Sequence, residues 1–461
     1  MSTYEEFIAG KGALVSPVGL TGPFALSPAL FPFQRDVVAW ALSLGRAAIF
    51  AECGLGKTLM QLEWARIVAE RAGGRVLILS PLAVAQQTIR EGARFGIPVR
   101  YAASQADVGD GITITNYERL DRFDAASFAG VVLDESSILK SFMGRTKRTL
   151  VTMFASTPYR LACTATPAPN DHIELGNHSE FLGVLDSFEM LTRWFINDTS
   201  LFGNYRLKGH AEAPFWDWVC SWARCVTKPS DLGYSDDGYV LPELSMHRHV
   251  VDVDVRNGRG ENLFRVPDLS ATSVHREKRL TAPARAATIG ALVALEYREP
   301  WLVWCDTDYE ADALTAVISG ATEVRGSDSL ESKERALMGF VDGSVRVLVT
   351  KPGIAGWGLN FQHCARVAFV GATFSYEQFY QAVRRSWRFG QKRPVNVHVA
   401  MAQTELEIWN VLTRKQQLHH GMSAAMSAAM RRAQEKTSSK RPYKPLCSAP
   451  LPAWLMLKEA P

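Results

Sequence analysis

The sequence predicts an α/β protein with two doubly wound parallel-sheet domains and a helical insertion between them. Short apolar runs rich in Val, Ile and Leu alternate with helical patterns, which is typical of buried parallel strands joined by helical crossovers. The runs form two series, separated by a long segment of different composition. The first series comprises 47–51, 76–79, 112–115, 131–133 and 161–164, and the second comprises 301–305, 345–349, 367–370 and 395–400.

The two series and the composition between them predict the domain boundaries. The intervening segment is rich in Trp and Phe, and its later part has the Gly, Asn, Arg and Pro typical of a connector. Basic residues dominate after Met430, which is typical of a flexible tail. The expected parts are an N-terminal extension (1–14), a first domain (15–170), a helical insertion with its connector (171–275), a second domain (276–420) and a basic tail (421–461).

The composition of the 461-residue chain is that of an ordinary globular protein, with 47% hydrophobic residues and a net charge of +4. This charge permits a nucleic-acid partner without requiring one. The Cys residues form no Cys-x-x-Cys pair, which argues for a reduced compartment and against structural zinc. We recognise no signal peptide and no apolar run near the roughly 18 residues of a membrane span. We therefore expect a cytoplasmic protein with no membrane partner.

The strongest local motif is a phosphate loop at Ala51–Thr58, between a predicted strand and a predicted helix. Gly54 and Gly56 allow the backbone to curl so that its N–H groups point at phosphate oxygens. Lys57 is expected to contact the β- and γ-phosphates of ATP, and Thr58 to hold Mg²⁺. Because the general pattern has Gly where this chain has Ala51, a Gly-rich turn before an ordinary helix is the alternative interpretation.

An acidic pair, Asp134 and Glu135, follows a later predicted strand. The carboxyl ends of parallel strands face the ligand crevice of such a sheet. We expect Asp134 to hold Mg²⁺ and Glu135 to orient or deprotonate the attacking water. A solvated turn is the alternative for this pair taken alone.

The second domain contains an arginine cluster within 381–391. Arg385 and Arg388 are three residues apart, so on a helix they share a face that suits a triphosphate. An arginine supplied from a second domain stabilises transition-state charge only when the domains close. The alternative is a basic helix surface that is solvated or touches nucleic acid.

Two further features allow either a functional or a structural interpretation. The glycine-rich loop that contains Gly356 and precedes Asn360 can approach a ligand closely or form an ordinary turn. The aromatic residues between Trp194 and Trp222 can stack on bases or pack a helical subdomain, and we favour packing.

Taken together and in their order, these motifs resemble those of the superfamily-two helicases, and among them the Swi/Snf-like DNA translocases. The resemblance runs from about residue 30 to 420 and implies two RecA-like domains that bind ATP and Mg²⁺ in the cleft between them. The segment 31–35 resembles the adenine-recognising motif, with Gln34 as the base reader. The segment 51–58 matches the family form A-x-x-G-x-G-K-T, which accounts for Ala51.

The remaining motifs are assigned by the same resemblance. Ser80-Pro81-Leu82 and 115–118 resemble motifs that touch the backbone of the tracking strand. The segment 164–167 is similar to the coupling motif, 353–360 resembles motif five, and 381–391 is very close to motif six. The residues implied for nucleic-acid contact or coupling are Pro81, Thr115, Thr164, Thr166, Gly356 and Asn360, and those implied for catalysis are Glu135, Gln381, Arg385 and Arg388.

The chain departs from the family pattern at Ser137, where the family has His or Asp. The departure indicates that the link between the acidic motif and Gln381 is weaker or differently built. The compact layout resembles stand-alone helicases of tailed phages.

The predicted function is that of an ATP-hydrolysing helicase or translocase stimulated by nucleic acid, with duplex DNA as the favoured partner. Three alternatives stay open. They are an RNA helicase, the motor subunit of a nuclease or other complex in which a separate chain cuts, and a non-catalytic ATP-dependent clamp.

Overall fold

Two parallel β-sheets and one hairpin contain the described strands. The computed structural model describes residues 15–82, 84–198, 204–252, 271–354 and 360–438. The strands are β1 Arg46–Ala51, β2 Arg75–Ser80, β3 Val99–Tyr101, β4 Ile112–Asn116, β5 Phe128–Asp134, β6 Tyr159–Thr164, β7 Phe195–Asp198, β8 Asn204–Leu207, β9 Ala223–Val226, β10 Leu244–Val251, β11 Trp301–Trp304, β12 Ala321–Val324, β13 Val347–Thr350, β14 Arg366–Val370 and β15 Val395–Ala402.

Helices connect the strands and cover the sheets. They are α1 Pro32–Leu44, α2 Lys57–Arg71, α3 Ala85–Arg94, α4 Arg145–Met153, α5 Leu175–Leu182, α6 Ser187–Trp194, α7 Glu212–Trp222, α8 Ala271–Leu295, α9 Asp308–Val317, α10 Leu330–Asp342, α11 Tyr376–Val383 and α12 Leu406–Ser438.

The first sheet has the order β3-β4-β2-β5-β6-β1-β9, and its neighbouring strands are parallel. The second has the order β10-β15-β14-β11-β13-β12, also parallel. Central strands such as β1 and β2 are buried along almost their whole length, because helices cover both faces of each sheet. The predicted fold class is therefore confirmed: two RecA-like, doubly wound units.

The segment 171–275 is less helical than the sequence analysis expected. β9 extends the first sheet beside β1, with Ile49 paired to Arg224, and β10 extends the second sheet beside β15. β7 and β8 form a separate antiparallel hairpin. The segment therefore combines helices, α5, α6 and α7, with strands that the sequence analysis did not predict. β7, β8 and β9 have 4 residues each, too few to give a clear apolar period, and β10 has no buried residue. The predicted connector around 257–267 lies outside the described residues.

The aromatic residues of this segment form a packed core. Trp194 and Trp218 have ring centroids 4.4 Å apart, and Phe215 lies 4.9 Å from Trp216. These four side chains are buried, as is Trp222. Because their faces are covered by one another, the packing interpretation accounts for them and base stacking does not.

The segment predicted as a basic, flexible tail (421–461) begins inside a helix. α12 continues to Ser438, and Met422, Met426 and Met430 are buried against the first domain. These methionines recur every fourth residue, which places them on one face of the helix. A salt bridge of 2.7 Å between Arg432 and Asp217 fixes the same contact. Residues 421–438 are therefore a packed helix, and 439–461 lie outside the described residues.

No helix in the described ranges is long and apolar enough to cross a membrane.

Candidate functional site

The phosphate loop lies between β1 and α2, as the motif predicted. Gly54 and Gly56 have φ angles of +92° and +78°, in the left-handed region that side-chain-bearing residues rarely adopt. A Cβ at Gly56 would lie 2.4 Å from Nε2 of Gln34. The first helical residue is Lys57, so the helix N-terminus faces the loop. These are the backbone conformation and helix position that a phosphate-binding loop requires, and the binding of phosphate here stays a prediction.

Gln34 lies directly beneath this loop. Its Nε2 donates to the carbonyl oxygen of Leu55 at 2.8 Å, and its Oε1 accepts from the backbone N–H of Phe31 at 2.8 Å. The side chain is 3% exposed. Gln34 therefore positions the phosphate loop in this conformation, and its reading of adenine stays a prediction.

Lys57 and Thr58 line the cavity above the loop. The Lys57 Nζ donates to the carbonyl oxygen of Ala51 at 2.7 Å, which holds the ammonium group at the mouth of the loop. A phosphate bound by the loop would meet this charge together with the backbone N–H groups.

The acidic pair stands opposite the loop, at the end of β5. Burial raises the pKa of Asp134 to about 7, the neighbouring Glu135 adds to the rise, and Lys57 opposes it. Glu135 has a φ of +54°, and among the described residues no other non-glycine residue has a positive φ. A backbone conformation of this kind persists only where surrounding contacts hold it.

One such contact comes from the predicted coupling motif. The Thr164 Oγ1 donates to Oε2 of Glu135 at 3.2 Å, and it accepts from the backbone N–H of Thr166 at 3.1 Å. Thr115, Thr164 and Thr166 are fully buried. Buried hydroxyl groups cannot touch a bound strand in this conformation, which favours coupling over direct strand contact for these three residues.

The second domain closes the cavity with its arginine cluster. Arg384, Arg385, Arg388 and Gln381 line a cavity of about 200 Å³ together with the phosphate loop and the acidic pair. Burial lowers the pKa of Arg385 and of Arg388. Within the described part of the chain neither guanidinium group makes a hydrogen bond, and the Arg388 Nε is buried without a partner. Two half-buried cations that make no hydrogen bond within the described ranges favour an anionic ligand at this place.

Arg384 is a site residue to which the sequence analysis gave no role. Its Nη2 donates to the carbonyl oxygen of Cys53 at 2.9 Å and lies 3.2 Å from Oε1 of Glu52. Its guanidinium group also lies 4.8 Å from the ring centroid of Trp387. The motif comparison drew attention to Arg385 and Arg388, and a third arginine beside them was the only signal.

The departure at Ser137 corresponds to a different contact between the domains. Its Oγ donates to Oε1 of Glu377, and the Lys140 Nζ lies 2.6 Å from Oε2 of the same carboxylate. In the described residues the Gln381 side chain makes no hydrogen bond, although it lines the cavity. The expectation of a differently built link therefore has a structural counterpart in Glu377.

The other predicted nucleic-acid contacts are dispersed. Pro81 lines a second cavity between the domains, which also contains Glu377 and Gln381. Asn360 is exposed, and Gly356 lies outside the described residues. The structure therefore does not gather these residues into one surface.

Thr58 and Asp134 are suited to hold Mg²⁺. Both line the same cavity, and a hydroxyl and a carboxylate are the oxygen ligands that Mg²⁺ prefers beside substrate phosphates. In the described ranges no three His, Cys, Asp or Glu side chains form a protein-only metal site. A cation held partly by a phosphate ligand agrees with both observations.

Comparisons with known proteins connect this site to a family. The model of the helicase conserved C-terminal domain matches residues 285–390. The mouse "DNA annealing helicase and endonuclease ZRANB3" is 24% identical over 470 residues, which cover 86% of this chain and 41% of the relative. Its human counterpart is 24% identical over 451 residues, covering 86% and 40%. The chain thus spans less than half the length of these relatives.

A solved structure also aligns with most of the chain. The "Sulfolobus solfataricus SWI2/SNF2 ATPase core in complex with dsDNA" covers 90% of this chain and 98% of that chain, with 18% identity and a TM-score of 0.43. The matched helicase domain and the helicase relatives indicate that the chain uses a nucleotide.

Proposed function

We propose that the chain is a superfamily-two helicase of the Swi/Snf-like group and acts as an ATP-driven motor that moves along duplex DNA. The observation that carries the proposal is the composition of the interdomain cavity. A phosphate loop and an acidic pair from one domain face Arg385 and Arg388 from the other, whose guanidinium groups bond to no described residue. A site divided in this way operates only when the domains are closed.

The residues of the cavity account for hydrolysis. The loop and Lys57 bind the β- and γ-phosphates, and Glu135 orients the attacking water and accepts its proton. Arg385 and Arg388 stabilise the negative charge that develops on the transferred phosphoryl group. Thr58 and Asp134 would hold Mg²⁺, which neutralises phosphate charge when bound.

The choice of DNA rests on two arguments. The first curated relatives are named DNA annealing helicases, and the motif order resembles that of translocases on duplex DNA. In addition, three exposed arginines lie in the segments that follow β4 and β5: Arg122 ends a short 3-10 helix after β4, and Arg145 and Arg148 lie in the first turn of α4. Exposed basic residues after these strands suit the phosphates of a nucleic-acid backbone, and contacts of this kind are independent of base sequence.

Steady-state ATP hydrolysis tests this function. It is measured without polymer and with single-stranded DNA, duplex DNA and single-stranded RNA. We expect the strongest stimulation by duplex DNA and no hydrolysis by Lys57→Ala, which lacks the phosphate contact. Normal turnover in Lys57→Ala would refute the assigned site.

The same measurement separates the alternatives. Stimulation by RNA alone would favour an RNA helicase. ATP binding without hydrolysis under every condition would favour the non-catalytic clamp or a motor that requires another subunit. The relatives are also named as endonucleases, and the function proposed for this chain does not include DNA cleavage.

A further inference from the structure

We propose that Glu377 is a positioning residue for ATP hydrolysis, which links closure of the second domain to the orientation of Glu135. This inference rests on the proposed ATPase function. Glu377 lies in the first turn of α11, and its side chain is 12% exposed. One of its carboxylate oxygens accepts from Ser137 and the other pairs with Lys140.

Both partners belong to the turn that carries the catalytic acid. Ser137 and Lys140 lie on a short 3-10 helix, Ser136–Lys140, and Glu135 is the residue that precedes it. Glu135 adopts its left-handed backbone conformation at this junction. The Glu377 carboxylate binds this turn from the opposite domain and therefore helps to hold the backbone conformation of Glu135.

The contact of Ser137 and Lys140 with Glu377 is called the bridge below. On the side of the second domain, the bridge is close to the arginine cluster. α11 begins at Tyr376, carries Glu377 and Gln381 one turn apart on the same face, and ends immediately before Arg384 and Arg385. Glu377, Gln381, Arg385 and Glu135 also line one cavity between the domains. The Glu377 carboxylate thus connects the turn that carries Glu135 in the first domain to the helix that immediately precedes Arg384 and Arg385.

The bridge replaces a link that the family pattern places elsewhere. The resemblance implies a contact between the residue at position 137 and Gln381. Ser137 is shorter than the family's His or Asp, and it bonds instead to a residue one helical turn before Gln381. When the domains separate, the carboxylate and the ammonium group are each hydrated, so the bridge contributes to the closed conformation alone.

The test measures kcat, KM for ATP and the affinity for a fluorescent ADP analogue in the full chain with duplex DNA. Glu377→Gln keeps the size of the side chain and removes its charge, and Ser137→Ala removes the other contact. For each variant we expect kcat to fall by on the order of tenfold, as for loss of a charge-assisted hydrogen bond made only in the closed state. KM and ADP affinity should not change, because nucleotide binds mainly to the phosphate loop.

Glu334→Gln is the matched control. Glu334 forms another ion pair between the domains, with Arg90 at 3.6 Å, but both side chains are largely exposed and Glu334 does not line either interdomain cavity. This variant should keep the wild-type kcat, since exposed pairs contribute little.

Two further variants distinguish positioning from general damage to the fold. The double variant Ser137→Ala with Glu377→Ala should be no slower than Glu377→Ala, because Glu377→Ala already removes the contacts with both Ser137 and Lys140. Exchanging the charges, with Lys140→Glu and Glu377→Lys together, should restore part of the kcat that Glu377→Lys loses.

The possible failures are distinguishable. If Glu377→Gln and Ser137→Ala hydrolyse ATP with the same kcat as the wild-type protein, this inference is overturned and the proposed ATPase function is not. A raised KM with unchanged kcat would do the same, because it would assign Glu377 to nucleotide binding. No hydrolysis by the wild-type protein would overturn the proposed function and this inference with it.

Discussion

The Arg384 Nη2 of the second domain donates a hydrogen bond of 2.9 Å to the carbonyl oxygen of Cys53 in the phosphate loop. The same group lies 3.2 Å from the Glu52 carboxylate, and the guanidinium stands over the ring of Trp387. Arg384 is 5% exposed, so this contact is shielded from water and from screening by salt. The arginine cluster therefore binds the loop directly as well as facing its cavity.

Arg384→Ala should weaken the closed conformation. Loss of a buried, charge-assisted hydrogen bond between the domains predicts a fall in kcat/KM for ATP of about tenfold or more. Arg393→Ala is the matched control, because Arg393 forms a half-exposed ion pair with Glu299 within the second domain. Steady-state kinetics with duplex DNA measure both variants, and equal values for the two would contradict this role of Arg384.

Arg388→Ala should separate ATP binding from hydrolysis. Its guanidinium group lines the cavity without a hydrogen-bond partner in the described residues, so it is free to meet transition-state charge. An arginine in this role accelerates phosphoryl transfer by about a thousandfold or more. Single-turnover hydrolysis should fall accordingly, while ATP affinity measured by nucleotide fluorescence stays within a few fold of wild type. Unchanged hydrolysis would remove Arg388 from this role.

Glu174 should make the stability of the protein depend on pH. Burial raises its pKa from 4.5 to about 7, although the carboxylate accepts two hydrogen bonds from Asn170. Between these values the folded state holds a proton that the unfolded state has lost. The contribution of Glu174 to the free energy of unfolding therefore falls as pH rises through that window.

Glu174→Gln removes this titration and keeps a neutral side chain. Urea unfolding should show the variant gaining stability relative to wild type as pH rises from about 5 to about 8. Glu118→Gln, at an exposed position, serves as the control with no such trend. A difference between Glu174→Gln and wild type that is constant across this pH range would contradict the raised pKa.

Met426→Ala tests the packing of α12 on the first domain. Met426 is fully buried, and its carbonyl oxygen lies 3.4 Å from Sγ of Cys220. Truncating a buried methionine removes about 2–5 kcal/mol from the free energy of unfolding. Denaturant unfolding of Met426→Ala and of the exposed control His420→Ala measures the effect. Equal stability of the two variants would indicate that this part of the helix is detached in solution.

The sequence predicted the elements whose physical signal is local. β1, β2, β5 and β14 are buried on both faces, so their apolar runs identified them. The phosphate loop was recognisable because its glycines and Lys57 are neighbours in the chain.

Features that depend on distant residues were not predictable in the same way. β9 and β10 are edge strands whose pairing is decided by the sheets they join. The bridge from Ser137 to Glu377 joins residues far apart in the chain, so only the substitution at Ser137 indicated a change. The methionine stripe of α12 repeats every fourth residue in the sequence, but the surface that it covers in the first domain is formed by residues distant in the chain.

The most direct test of the motor is displacement of a third strand from duplex DNA. A triplex-forming oligonucleotide is bound to a duplex, and its release is followed as the protein moves along that duplex. Wild-type protein should release the third strand with ATP and not with a non-hydrolysable analogue, and Arg388→Ala should not release it with either. Wild-type protein that hydrolyses ATP on duplex DNA without releasing the third strand would contradict the account of a translocating motor.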